Sequence, residues 1–431
     1  MKKRISSSIV AALLCSAPVM AFAAPVTSMF DLSIGGFVKL DYAYNSVNFG
    51  NSGSLTPGSG AFAYRTSATP AVASAAKQEQ SIFSARQSRL WFKASGPELM
   101  GAKTSALIEG DFYGDPSAAA ESPQFRMRLA YGSIDWANTQ ILFGQNWDIF
   151  GPMVASTVDF RCGSATGAPN NPRVPQLRVT QKINFNKDNA LSLVVGAQDP
   201  NQDGNNNNAA LNSGVAVNGA GQIMFSSKAL GTAPGYLGLP MKPLTLGVFG
   251  LYGNSKAVAP ATAINRTVDS YGYGAYAFIP VLKSSDGKGR AMTMSLEGQI
   301  YQAANMAFNG ATAHTVFDAN ATIPNPAKGY GLAAQAIFYP TQELGITAGY
   351  GKRGAIDYAD YKIRGTAVDY QRSSSEIYTN VSYDFNAAVR VMAEYQHMET
   401  LYGAAAAAAG PATSTPLGTA NIARLAAFYF F

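Results

Sequence analysis

After residue 23 the chain never strings together the ~20 apolar residues that a membrane-crossing helix requires. It instead alternates apolar and polar side chains over segments of roughly ten residues, from near its start to its last residue. In 33–44, Val38, Leu40, Tyr42 and Tyr44 share one face, and Lys39, Asp41 and Ala43 share the other. In 421–431 the shared face is Ala423, Leu425, Ala427, Tyr429 and Phe431. A period of two is a strand with apolar surroundings on one side and water on the other. In a membrane such strands satisfy their backbone groups only by closing on themselves. Composition agrees: 13% of residues are charged, and the chain holds 42 Gly, 22 Tyr and 23 Phe. A soluble domain carries about 25% charge, whereas low charge and abundant aromatics suit an apolar band edged by aromatic girdles.

The expected fold is therefore all-β, a transmembrane antiparallel β-barrel of about 16 strands. Beyond the two strands above, the pattern predicts strands near 81–94, 101–113, 125–136, 139–146, 177–185, 189–198 and 220–229. The second half adds 243–252, 268–280, 290–302, 329–340, 344–352, 373–385 and 388–399. Short connections such as Ala137-Asn138 and Asn386-Ala387 alternate with long ones such as 45–80, 147–176 and 400–420. Short turns at one end and long loops at the other, with an even strand count, place both termini on the periplasmic side. The stretch 230–242, with Pro234 and Pro240, breaks this rule by being long for a periplasmic turn.

Residues 1–23 are read as a signal peptide: Met1-Lys2-Lys3-Arg4, an apolar run to Phe22, then the small-residue site Ala21-Phe22-Ala23. Residues 24–431 then form the barrel domain. Removing the leader takes three cations and no acid, so the net charge falls from +6 (32 − 26) to +3 (29 − 26). The basic balance gives no reason to expect nucleic acid as a partner. Cys162 is left as the single thiol, so no internal disulfide is expected.

If apolar residues mark the lipid face, the opposite parity lines the lumen. That rule turns Arg89 and Lys93 inward on 81–94, Arg126 and Arg128 on 125–136, and Arg178 and Lys182 on 177–185. Met127, Leu129 and Tyr131 would face out, and Arg86 falls on the outward parity, which demands a bulge. Glu109 and Asp111 share a face beside these strands and can pair off some cations. Glu297, Glu376, Asp384 and Glu394 lie inward on later strands, giving a transverse field. Inward cations on neighbouring strands add their fields and raise the local anion concentration. Plain lumen polarity, required of any wet barrel, is the simpler account.

Three segments carry a resemblance: 86–93 (RQSRLWFK), 108–113 (IEGDFY), and 125–132 (FRMRLAYG) leading to 143–147 (FGQNW). In this order and spacing the chain resembles the DcaP-like porins of Gram-negative outer membranes. The resemblance covers about a hundred residues of the first half. It implies a homotrimer of sixteen-stranded channels in the outer membrane, passing small anionic solutes such as dicarboxylates, with no cofactor. It also implies that the third loop, 147–176, with Asp148, Asp159, Arg161 and Arg173, folds inward as a constriction; the alternative is an ordinary surface loop. Members can carry a helical N-terminal extension, but here only Ala24 to about Leu32 precedes the first strand.

The rival reading is a barrel with a filled lumen, serving as a structural protein, adhesin or receptor. Enzyme chemistry finds little support. The two histidines, His314 and His397, fall on different hairpins, and His397 has only Glu399 nearby. No metal site is expected. Asp199-Pro200-Asn201-Gln202-Asp203-Gly204 matches the start of a calcium loop, but its twelfth position is Ala210 where a bidentate Glu is needed.

Overall fold

The computed structural model describes residues 30–47, 79–114, 123–159, 173–199, 217–258, 265–305, 315–317, 324–326, 328–356, 371–402 and 417–431. The leader, Arg161, Cys162, residues 200–204 and His314 lie outside them.

These residues form one closed antiparallel barrel of sixteen strands. They are β1 (Asp31–Asn45), β2 (Gln80–Ser84 and Arg89–Leu99), β3 (Ala102–Asp111), β4 (Arg126–Asp135), β5 (Thr139–Trp147), β6 (Arg173–Asn184), β7 (Asn189–Gln198) and β8 (Asn218–Pro234). The rest are β9 (Met241–Val258), β10 (Asn265–Leu282), β11 (Thr293–Ala304), β12 (Lys328–Tyr339), β13 (Leu344–Ala355), β14 (Gln371–Asp384), β15 (Val389–Tyr402) and β16 (Leu417–Phe430). Each strand pairs with its sequence neighbour, and β16 closes on β1 from Phe37↔Phe430 to Asn45↔Ile422. A small hairpin, Thr315–Phe317 with Pro324–Pro326, stands in the β11–β12 connection.

The exterior is what the alternation demands. Leu32, Ile34, Leu177, Val195, Ile300, Ile377 and Leu425 are all more than half exposed. Moving each such side chain from water into an apolar phase is worth ~1.5–3 kcal/mol. A wall of them is stable only against hydrocarbon.

Four departures from the sequence reading have local causes. First, β2 is broken: Ser84 pairs with Asp41 but Arg89 pairs with Phe37, so 85–88 oppose only 38–40. This bulge takes Arg86 off the lipid face. Its side chain is buried, with the guanidinium 4.5 Å from the Tyr113 ring centre and Nε donating to Phe112 O at 3.3 Å. Second, the β3–β4 register jumps between Glu109↔Leu129 and Gly110↔Met127, leaving Arg128 as an extra residue. One inserted residue flips the parity beyond it. Leu129 and Tyr131 therefore share the face of Glu109 and Leu107 instead of facing lipid, while Met127 stays outside.

Third, β6 starts at Arg173, which pairs with Trp147, so Arg173 is a strand residue and not part of the loop. Fourth, the long connection at 230–242 is mostly strand. β8 continues to Pro234 and β9 begins at Met241, with a register shift after Lys228–Gly231 is looped out.

Candidate functional site

The connection after β5 turns into the barrel at once. Gly144, three residues before the end of β5, has φ +118°, and a Cβ there would lie 2.3 Å from Ala130 O. Only glycine fits this kinked approach. Asp148 then folds the chain inward, its carboxylate accepting the Phe150 N–H at 2.9 Å and the Gln198 amide at 2.7 Å.

From there to Asp159 the segment lies along the inner wall, held strand by strand. Gln222 on β8 donates to Ile149 O. Ile149, Phe150 and Met153 pack on Phe249 of β9, Phe278 of β10 and Tyr301 of β11, with Phe150 edge-on to Phe249 at 4.9 Å. Met153 N donates to Gln299 Oε1 of β11 at 3.1 Å, and Ser156 N to Gln335 Oε1 of β12 at 2.8 Å. Asn380 of β14 donates to Ser156 O at 2.6 Å, and Val158 N donates to Glu394 Oε2 of β15 at 2.7 Å. Lys39 of β1 donates to Val158 O at 2.6 Å, and Gln87, in the β2 bulge, donates to Asp159. These contacts trace an arc of wall from β7 round through β16 to β1. Extended backbone without a sheet partner must satisfy its own N–H and C=O groups somewhere; here inward Gln, Asn and Glu side chains do so.

The complementary arc, β2–β6, carries the cations singled out from the sequence. They separate into three groups. Arg89, Arg126 and Arg128 converge on Glu109 and Asp111. Arg126 grips Asp111 with two bonds, at 2.9 and 2.8 Å, and Arg128 spans both acids, at 2.7 Å to Glu109 and 2.6 Å to Asp111. Arg89 stands 3.6 Å from Glu109. Three guanidiniums against two carboxylates leave this cluster at +1 (3 − 2). The Trp147 ring lies 5.6 Å from the Arg128 guanidinium and 5.2 Å from that of Arg173.

Arg178 stands apart on β6. It is half-buried, and its Nε has no hydrogen-bond partner among the described residues. Lys93 and Lys182 lie lower, near the short turns. Lys93 borders a shallow pocket with Glu98, Lys103 and Asp135, and Lys182 N bonds Asn138 O in the β4–β5 turn. The six cations are thus one cluster of three held at net +1 by two acids, one solitary guanidinium and two solvated ammoniums.

The later acids are also partnered. Glu297 accepts from Lys242, Tyr276 and Gln335; Asp384 binds Arg290 and Arg390; Glu394 binds Arg424 at 2.9 Å as well as the inward segment. Glu376 is buried on β14. Sequence reasoning missed the uncharged anchors Gln198, Gln222, Gln299, Gln335 and Asn380. Glutamines recurring at the inward parity of the strands were the available signal.

His397 lies on the outer face, bonded to Asn421 at 2.8 Å and 3.5 Å from Glu399. No cluster among the described residues could hold a metal ion.

The whole chain can be laid over known barrels. It superposes on the outer membrane channel DcaP of Acinetobacter baumannii with a TM-score of 0.68, covering 95% of this chain and 99% of that one at 17% identity. The fold is the porin fold. An anion-selective porin from Comamonas acidovorans matches with a TM-score of 0.54 at 12% identity, covering 93% of this chain and all of the other, 100%. The trimer form of OmpT, an outer membrane protein of Vibrio cholerae, matches with a TM-score of 0.53 at 12% identity, covering 94% and 100% of the two chains. No family model matches the sequence, and no curated protein does.

Proposed function

We propose that this protein is a Gram-negative outer-membrane diffusion porin, not an enzyme, for small hydrophilic solutes, preferring anionic organic acids such as dicarboxylates. Its leader, residues 1–23, is removed on export, and it works as a homotrimer without a cofactor. The observation that carries the reading is the division of the lumen. One arc of wall is covered by the segment Asp148–Asp159, and the other presents Arg178 and the net-positive Arg89–Arg126–Arg128 cluster. Solutes confined between them pass guanidiniums, whose planar forks suit carboxylates. The anion-selective porin and the trimeric barrel among its structural neighbours support the preference and the assembly.

One observation favours the rival, a filled barrel. A second segment, the β8–β9 turn, also folds inward and bonds to the first through Ser156. Planar-bilayer recording of the purified protein decides between them. Discrete conductance steps, with a reversal potential of anionic sign in a salt gradient, are expected. Silence over many insertions sinks the channel reading, and steps of cationic sign sink the anion preference.

A further inference from the structure

The turn joining β8 to β9 belongs to the end of the barrel where the other turns are short, yet it does not simply cap its hairpin. It is a compact loop: Gly235 N bonds Pro240 O at 2.9 Å, Gly238 N bonds Gly235 O at 3.0 Å, and Leu239 N bonds Tyr236 O at 3.1 Å. The looped-out residues Lys228–Gly231, with Gly231 at φ +76°, re-aim the end of the hairpin. Pro234 O already accepts from Ser295 on β11 at 2.7 Å. At Gly238 a Cβ would strike the Tyr339 hydroxyl at 2.3 Å and Arg290 Nη1 at 2.7 Å, so this glycine lets the chain lie directly on β12 and its neighbouring turn.

The tip travels further, to strands on the far side of the sheet order. Leu237, like Phe37 of β1 and Phe430 of β16, packs against the buried cluster of Val158, Met392 of β15, and Ala426 and Phe428 of β16. Arg390 Nη1 donates to Leu237 O at 3.2 Å. Leu237 takes a left-handed backbone, φ +48°, which a branched side chain adopts only when its surroundings hold it there. The wall under it is ordered as guanidinium, ring, ring, guanidinium. Arg89 stands 5.2 Å from the Phe37 ring, Phe37 lies 5.8 Å from Phe430, and Arg390 stands 5.7 Å from Phe430. Tyr236, beside Leu237 at the tip, is half-buried. From above, Leu237 N donates to Ser156 Oγ at 3.2 Å, joining the turn to the inward segment.

We propose that the β8–β9 turn is a second constriction at the periplasmic exit, with its tip, Tyr236-Leu237, setting the size of solute that leaves. This rests on the channel reading above. The two inward segments make one girdle. The upper, Asp148–Asp159, narrows the lumen against the β2–β6 arc; the lower sets its tip on the wall between Arg390 and Arg89, the first guanidinium of that arc. A small carboxylate passes the narrowing along these guanidiniums; a bulky neutral solute is held back.

The test replaces 235–240 with a two-residue Asn-Gly turn, which closes a hairpin without an inward tip. A second variant, Tyr236→Ala, keeps the turn. Single-channel conductance and liposome swelling with a neutral trisaccharide and with succinate are measured beside the parent. In the shortened variant conductance should rise and the trisaccharide should enter. In Tyr236→Ala the ratio of succinate to trisaccharide entry should fall. Unchanged conductance and unchanged size limit in both variants overturn the proposal while leaving the channel reading intact. A silent parent overturns the channel reading and the constriction with it. If the shortened variant does not assemble, Tyr236→Ala alone decides: an unchanged succinate-to-trisaccharide ratio overturns the proposal.

Discussion

Arg178→Gln isolates the electrostatics of the lumen from its architecture. Among the described residues Arg178 has no ion pair and its Nε has no partner, so Gln strands no carboxylate there and breaks no side-chain hydrogen bond. Stability should change by no more than about 1 kcal/mol, as expected away from packed or networked groups. Transport should change more. An anion passing ~8 Å from the guanidinium in water gains ~0.5 kcal/mol, about a 2.3-fold enrichment. A cation is depleted by the same factor, so the anion-to-cation permeability ratio should fall about fivefold in the variant. Screening sets the condition: the Debye length is ~30 Å at 0.01 M salt and ~3 Å at 1 M. The reversal potential in a low-salt gradient should therefore move toward cations and converge with the parent at 1 M. No shift at low salt, or a shift that persists at 1 M, would show that Arg178 does not act on the passing ion through its charge.

Arg128→Gln should behave oppositely, costing about 1.5–3 kcal/mol, because it removes the guanidinium that bridges Glu109 and buried Asp111 and leaves Asp111 to Arg126 and Glu109 to the more distant Arg89. A lowered unfolding midpoint in detergent would show this, and Arg128→Lys should not restore it, since an ammonium cannot fork to both acids. Replacing Gln299 and Gln335 by Ala strips the acceptors from Met153 N and Ser156 N, at about 1–3 kcal/mol each. Faster protease cleavage within 148–159 should follow, and unchanged cleavage would place the anchoring elsewhere. At the β10–β11 turn, the N–H groups of Gly289 and Lys288 and the Ser284 hydroxyl hold the Asp286 carboxyl down at about 2. A depressed carboxyl stabilises above its unfolded value, so this turn should loosen only as pH falls from 3.8 toward about 2. An NMR titration of Asp286 with a midpoint near 4 would contradict it.

Strand positions were legible because alternation along an unbroken ladder is a counting problem. Val38 and Leu40 on β1, and Leu177 and Val179 on β6, fall on the outer face as counted. Counting fails wherever one residue is inserted. Arg128 is such an insertion, so Leu129 and Tyr131 were assigned to lipid and lie inside. The cluster joining Arg89, Arg126 and Arg128 to Glu109 and Asp111 depends on the register among β2, β3 and β4, which no single strand encodes. The third loop could be placed from its order, but its path could not, because its partners are single wall side chains, most of them uncharged amides, up to 236 residues away. The β8–β9 turn was visible only as an anomaly of length. Its destination on β15 and β16 follows from a bulge and a glycine whose consequences are three-dimensional.

The seating of Asp148–Asp159 also sets an order of events in assembly. Val158 bonds Glu394 across 236 residues of sequence, and its carbonyl is held by Lys39 at the start of the chain. Neither site is complete until β15 and β16 have arrived and the seam with β1 is sealed. Contacts so distant in sequence form late and slow folding. Ile149, Phe150 and Met153 need only β9–β11, so that end of the segment can dock earlier. A nascent barrel is therefore open along its edge and holds its inward segment by one end, and closure of the last strand seals the first and pins the second.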